Sequence, residues 1–158
     1  SNGPAAAIQL NDANHTIITG KTSELLGASS ALLLNALKHL AGIADDVRMI
    51  SPTVLEPVCK LKTGALGHRN PRLHTDEVLV ALSICAITDE NAQKALDKLP
   101  ELKNCEVHTS VILSQTDERV FRRLGVNLTQ EAKYQTSKLY HQTLIISQAK
   151  FWLRARTS

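Results

Sequence analysis

The chain has 158 residues, a hydrophobic fraction of 43%, a charged fraction of 21% and a formal net charge of +3. Those values are ordinary for one globular domain with a buried core and exclude a collagenous, low-complexity or intrinsically disordered chain. A charge this small and dispersed argues against a duplex-binding surface, and an aromatic fraction of 3% removes the stacking platforms of single-strand binders. No nucleic-acid partner is expected.

No apolar segment reaches the roughly 20 residues of a membrane span, and the N-terminus lacks the basic-then-apolar pattern of a signal peptide. The expectation is therefore a cytoplasmic protein with no membrane partner. Cys59, Cys85 and Cys105 are odd in number and far apart, which reads as buried free thiols in a reducing compartment.

Ser1-Asn2-Gly3-Pro4 reads as a tag scar or linker, ending near residue 5. Residues 6–19 pattern as a hairpin: Ile8 and Leu10 alternate with polar neighbours, and Asn11-Asp12-Ala13-Asn14 supplies the turn. Ser23 is placed to cap a helix from about Glu24 to Ala41, ended by Gly42. Its polar stripe of Glu24, Asn35, Lys38 and His39 is narrow, which predicts a helix wedged between layers.

Val47 to Ile50 is a short strand candidate. Ser51-Pro52 starts a helix, with proline at its first position, although Pro57 favours a late start or a bend. After its end near Thr63 to Gly67 runs a polar, cationic loop, His68-Arg69-Asn70-Pro71-Arg72-Leu73-His74. Thr75 then caps a helix with Asp76 and Glu77 in its first turn, where the macrodipole favours acids. From Val78 to Ile87 only Ser83 is polar, which predicts a segment central to the fold.

Thr88 opens a short amphipathic helix ending at Pro100. Cys105 to Leu113 is the best strand, and Asp117 to Leu124 a last helix ended by Gly125. Strands interleaved with helices predict an α/β (or α+β) fold: a small mixed sheet of three to four strands covered by about five helices, forming one domain over residues 6–141. Residues 142–158 form a tail, helical or disordered. Leu144, Ile145, Ala149, Trp152 and Leu153 would share a face if it is helical.

Two groups of residues carry chemistry. Gly20-Lys21-Thr22, followed by Ser23, is the tail of a phosphate-binding loop, with strand before and helix after. The full pattern wants a glycine five residues before Gly20, where this chain has His15, so a nucleotide-hydrolysing loop is disfavoured. A simple anion site at a helix N-terminus and a tight turn with a solvated Lys21 remain. In the second group Arg69, Arg72 and His74 run into the helix start at Thr75. Guanidinium forks and an N-terminal dipole there suit a phosphate or carboxylate, unless the arginines clamp Asp76, Glu77 or another internal acid.

His108 and Ser110 share a strand face, but no nucleophile-elbow glycines flank the serine. The six histidines show no close ligand spacing, so no metal site is assigned. No residue reads as a convincing nucleophile or base. Enzymatic activity, catalytic residues and cofactor are unassigned.

Three stretches resemble a known family. They are Thr19-Gly20-Lys21-Thr22-Ser23-Glu24-Leu25-Leu26-Gly27-Ala28-Ser29-Ser30-Ala31, Arg69-Asn70-Pro71-Arg72-Leu73-His74-Thr75-Asp76-Glu77-Val78-Leu79, and Leu124-Gly125-Val126-Asn127-Leu128-Thr129. Together they are similar to the bacterial domain-of-unknown-function 1846 family, with the likeness running from about Ile8 to His141. The resemblance implies the C-terminal part of a longer protein, whose larger N-terminal portion carries a glycine-rich loop absent here. It implies no activity and no catalytic residues, but both anion candidates lie within its motifs.

The leading expectation is a domain of a larger enzyme that binds a phosphate- or carboxylate-bearing small molecule through Gly20, Lys21, Thr22, Ser23, Arg69, Arg72, His74 and Thr75. The alternative is a structural or oligomerisation domain, partnered by the N-terminal portion of the same protein or by further copies of itself. Geometry discriminates between them: binding gains if Lys21 lies within reach of Arg69 and Arg72 in one cleft.

Overall fold

A computed structural model describes residues 3–132. The tail expected at 142–158 lies outside the described residues. The chain begins with the expected hairpin, β1 (Ala5–Gln9) and β2 (Ile17–Lys21), paired antiparallel with Ile8 opposite Ile18. Asp12 closes its turn by accepting from the Thr16 amide at 2.8 Å and from the Thr16 hydroxyl. β3 (Glu106–Thr109) pairs antiparallel with the other edge of β1, and β4 (Asn127–Gln130) runs parallel to β3. The order is β2-β1-β3-β4, a four-stranded mixed sheet, accompanied by five α-helices among the described residues. This is the α/β architecture expected from the sequence.

The helices are α1 (Ala28–Leu40), α2 (Pro52–Thr63), α3 (Thr75–Cys85), α4 (Glu90–Leu96) and α5 (Gln115–Arg123). β1 buries Ala6, Ala7 and Ile8, while α1 buries Leu32, Leu33, Ala36 and Leu37. Each of those leucines contributes about 2 kcal/mol by leaving water. They meet Val78, Ala81 and Leu82 of α3, Ala92 and Ala95 of α4, and Phe121 of α5 in one core. The aliphatic composition is thereby spent on a single cluster, and α1 is wedged between the sheet and the other helices.

Gly20 sets how close α1 comes. A Cβ at Gly20 would stand 2.7 Å from the Ala28 carbonyl oxygen and closer still to the backbone of Leu32. The glycine is a packing requirement, because only a hydrogen on that face lets strand and helix backbones touch.

Several local expectations are corrected. Gly20 and Lys21 continue β2 opposite Ala6 and Ala5 instead of turning into a helix. The helix accordingly starts at Ala28 and not near Glu24. Ser23 closes a short turn, accepting from the Leu26 amide at 3.1 Å, and Gly27 takes the N-cap position. Val47 to Ile50 forms no strand: Met49 and Ile50 are anchors buried in the core, and side-chain burial does the work that strand pairing would have done. Asp89, not Thr88, caps α4 by accepting from the Asn91 amide at 2.8 Å. The long strand expected over 105–113 pairs only through Glu106–Thr109.

Other expectations hold. Ser51 caps α2 at Pro52, so the helix does not start late, and Pro57 stands at its sixth position, where it removes one bond of the ladder. Gly42 and Gly125 end α1 and α5 with φ of 68° and 82°. From Val78 onward α3 is apolar but for Ser83, as its sequence says, yet of these residues only Val78, Ala81, Leu82 and Cys85 face the core. Val80, Ile84 and Ile87 are 60%, 46% and 80% exposed.

Gly20→Ala should destabilise the domain by about 3 kcal/mol, because backbone atoms that cannot rotate away meet the new methyl. Urea unfolding monitored by circular dichroism measures this, and a loss below about 1 kcal/mol would show that strand and helix can separate cheaply.

Candidate functional site

The cationic loop after α2 folds back on the turn that precedes α1. The Leu73 amide donates to the Leu25 carbonyl at 2.8 Å, and the Leu73 carbonyl accepts from the Ser30 hydroxyl at 2.8 Å. Leu26 and Leu73 form an isolated parallel bridge. The two motifs singled out in the sequence, more than forty residues apart, are thus stitched into one wall.

Arg72 is fixed at both ends. Its amide donates to the Asn70 side-chain oxygen at 3.0 Å, and its Nε donates to the Ser23 carbonyl at 2.6 Å. Its carbonyl accepts from the ammonium of Lys62, a side chain only 2% exposed that also pairs with Glu77 at 2.8 Å. Glu77 in turn accepts from the His74 amide at 2.8 Å, so the start of α3 is held by its own third residue.

Beside Arg72 lies a cleft of about 100 Å³, lined by Thr22, Gly27, Arg72, His74, Ser114 and Asp117 among others. Three helix N-termini, those of α1, α3 and α5, meet there. They are not equivalent. Ser114 caps α5 by accepting from the Asp117 amide at 3.2 Å. The α3 end is filled by Asp117, which accepts from the Thr75 amide at 2.9 Å and the Thr75 hydroxyl at 2.7 Å. The α1 end has Gly27 as N-cap and no side chain to cap its first-turn amides.

Asp117 also lies 3.5 Å from His74 Nδ1. That hydrogen bond raises the His74 pKa above its ordinary value, against the opposing effect of burial. Burial alone would push the Asp117 carboxyl up. The hydrogen bonds from His74 and from the amide and hydroxyl of Thr75 outweigh it and hold the carboxyl below its ordinary range.

Of the eight residues proposed from sequence, Thr22, Arg72 and His74 line the cleft. Ser23 supports it by receiving Arg72, and Thr75 is buried beneath it with Asp117 as partner. Gly20 is packed on α1, while Lys21 and Arg69 are exposed and do not line the cleft. The condition that Lys21 should meet both arginines in one cleft is therefore not met: Thr22 lines the cleft beside Arg72, and the Ser23 carbonyl accepts from the Arg72 side chain. Asp117 escaped notice as a site residue, its sequence signal being only an acid in the first turn of a short helix. Gly27, rather than Ser23, is the helix start that faces the cleft.

His108, read as a strand histidine beside Ser110, is hydrogen-bonded to the Thr129 hydroxyl at 2.7 Å and to Glu131 at 3.0 Å. The Ser110 hydroxyl accepts from the Ala5 amide at 2.9 Å, so it is a strand-edge tie. No cluster of metal-ligating side chains is present among the described residues, and none of their helices is long and apolar enough to cross a membrane.

The signs of the two shifts define a pH window. A carboxyl with lowered pKa contributes stability above its unfolded value and loses it as pH falls through the folded value. A histidine with raised pKa contributes below its unfolded value and loses it as pH rises through the folded one. The His74–Asp117 pair should therefore stabilise most between about pH 4 and 6.5. Asp117→Ala should cost about 2 kcal/mol there and flatten the profile, measurable by thermal melts across pH. A variant profile parallel to the native one would show that the pair does not set the pH dependence.

Comparison with known proteins agrees with the motifs. The chain matches the model for the C-terminal domain of the domain of unknown function DUF1846 over residues 1–140. It is 58% identical over 139 residues to a UPF0371 protein of Corynebacterium diphtheriae, covering 88% of this chain and 28% of that protein. A UPF0371 protein of Corynebacterium glutamicum is 56% identical over 139 residues, with the same shares covered. One from Clostridioides difficile is 48% identical over 138 residues, covering 87% of this chain and 27% of that protein. The chain thus spans little more than a quarter of the length of these curated relatives. On this match, and on motifs that now form one wall of a cleft, the chain belongs to the DUF1846 family as its C-terminal domain.

Proposed function

We propose that the cleft binds the phosphate or carboxylate group of a small molecule, as one part of a larger enzyme. The observation that carries this reading is Arg72. Its guanidinium is oriented by the Ser23 carbonyl and stands in the same cleft as the uncapped start of α1. A fork of fixed direction and a set of first-turn amides are complementary to an oxyanion. His74 adds positive charge below its raised pKa. The negative charge of Asp117 is already engaged by Thr75 and His74, so it does not oppose the ligand unshielded. The cleft admits a group of a few heavy atoms, and the remainder of the ligand would extend outward. The hydroxyls of Thr22 and Ser114 in the cleft are engaged, with the Pro4 carbonyl and the Asp117 amide, so chemistry would come from elsewhere in the longer polypeptide.

Thermal melts with inorganic phosphate, nucleotides and small carboxylates test the reading. A native-state ligand at 100 times its Kd adds about 2.7 kcal/mol and raises the melting temperature. The rise should disappear in Arg72→Ala. No rise with any compound, or a rise that survives Arg72→Ala, rejects the site.

One observation favours the second reading, a docking domain for the rest of the polypeptide. Leu61 and Leu66, near and just after the end of α2, are 55% and 60% exposed, and Val80 and Ile84 of α3 and Ile87 just after it face solvent. Relatives are several times longer than this chain, and burial of such side chains against the additional length would remove them from water. Hydrogen exchange at α3 in the longer Corynebacterium diphtheriae relative should then be slower than in its isolated C-terminal domain. Equal exchange in both would rule out this face as the interface.

A further inference from the structure

A second cavity, whose lining does not include Arg72, lies between α1, α2 and the segment 45–50 that joins them. Its volume is about 530 Å³, within the roughly 300–1,000 Å³ of small-molecule sites. Most of its wall is aliphatic: Leu25, Leu26, Leu34, Met49, Ile50 and Leu55. Met49 and Ile50 are the residues that pattern as a strand in the sequence but pair with nothing as strand, leaving their segment to form a wall instead.

One cation is set into this wall. Lys38 projects from the last turn of α1 and is 8% exposed. Its Nζ donates to the backbone carbonyl of Asp45 at 2.6 Å, and no carboxylate lies within 4.0 Å of it among the described residues. An ammonium has three donors, and burying its charge is costly unless an anion or several acceptors compensate. The other buried lysine, Lys62, has its carboxylate in Glu77. Lys38 has the burial without that partner. The remaining charged residues of the cavity, Asp45, Asp46 and Arg48, balance to one net negative charge without Lys38, and both aspartates are exposed.

We infer that this cavity is a binding site for an aliphatic carboxylate, whose headgroup pairs with Lys38 and whose chain lies against Leu25, Leu34, Met49 and Leu55. A carboxylate supplies the anion that the buried ammonium lacks, and the aliphatic wall selects an unbranched or branched chain over an aromatic or sugar body. The inference is independent of the Arg72 cleft, since it uses none of the polar residues there.

Isothermal titration of the purified chain with octanoate and with octanamide separates the headgroup from the chain. Octanoate should bind saturably and octanamide on the order of tenfold more weakly or worse, because a charged hydrogen bond is lost. Lys38→Met, which removes the charge and keeps an unbranched side chain one atom shorter, should reduce octanoate affinity by a similar factor and leave octanamide unchanged. Arg72→Ala should leave octanoate binding intact. If Lys38→Met does not fold, the amide comparison on the native chain still decides. No octanoate binding, equal affinity for acid and amide, or loss of binding in Arg72→Ala would overturn the inference.

Discussion

The buried ammonium of Lys62 is the constraint on which the functional face depends. It joins α2 to the Glu77 side chain and to the Arg72 carbonyl, and Glu77 in turn holds the His74 amide. Burial pushes the Glu77 carboxyl up, but the bonds from Lys62 and His74 prevail and hold it below its ordinary range. A charge with 2% exposure tolerates few geometries, because a displaced ammonium would lose its acceptors without regaining water. The polar loop between α2 and α3 is therefore held in place despite its proline, its asparagine and its exposure. Arg72 inherits that rigidity, and a ligand meeting it would not have to order it first.

Around this tie the domain arranges helix starts in a graded way. α5 is capped by its own serine, and α3 by a carboxylate from α5. α1 is left with glycine. Internal anions have filled one end where an external anion could have bound, which narrows the candidate site to the remaining one. The close contact of Gly20 with Ala28 and Leu32 brings that remaining end against the sheet, where Thr22 can line the same cleft. Packing and chemistry are joined here through a glycine whose sequence context suggested a phosphate loop.

The domain's surface is consistent with a piece of something larger. Helix α3 has a core face of Val78, Ala81, Leu82 and Cys85 and an outer stripe on which the exposed Val80 and Ile84 stand with only Ser83 between them, so from Val78 onward its outer side is largely apolar. Such a helix is normally covered on both faces. Here one face is open, and the match covers only 28% of the Corynebacterium diphtheriae relative, which leaves most of that chain beyond it.

Much of the fold was legible from the chain alone. The hairpin, the Ser51-Pro52 start, the glycine ends of α1 and α5, and the α/β class follow from local rules: alternation, capping and φ preferences act within a few residues. The cleft was half legible. Arg72, His74 and Thr22 could be named because guanidinium, imidazole and a loop hydroxyl next to helix starts are chemically conspicuous. Their meeting could not, because it depends on Leu73 pairing with Leu25 and Leu26 across the fold.

The same reasoning explains what local rules misread. Gly20-Lys21-Thr22 has the composition of a turn, but pairing with Ala6 and Ala5 made Gly20 and Lys21 strand. Met49 and Ile50 have the composition of a strand, but core burial used them as anchors. Asp117 is locally one more acid in a first turn, and only tertiary contact made it the partner of Thr75 and His74, 42 and 43 residues away. By itself the sequence determined the elements and the residue types able to meet an anion, since those depend on neighbours along the chain. Tertiary structure decided which helix start stays open and which arginine is oriented. It also decided which lysine is buried without a carboxylate, because each of these depends on long-range packing.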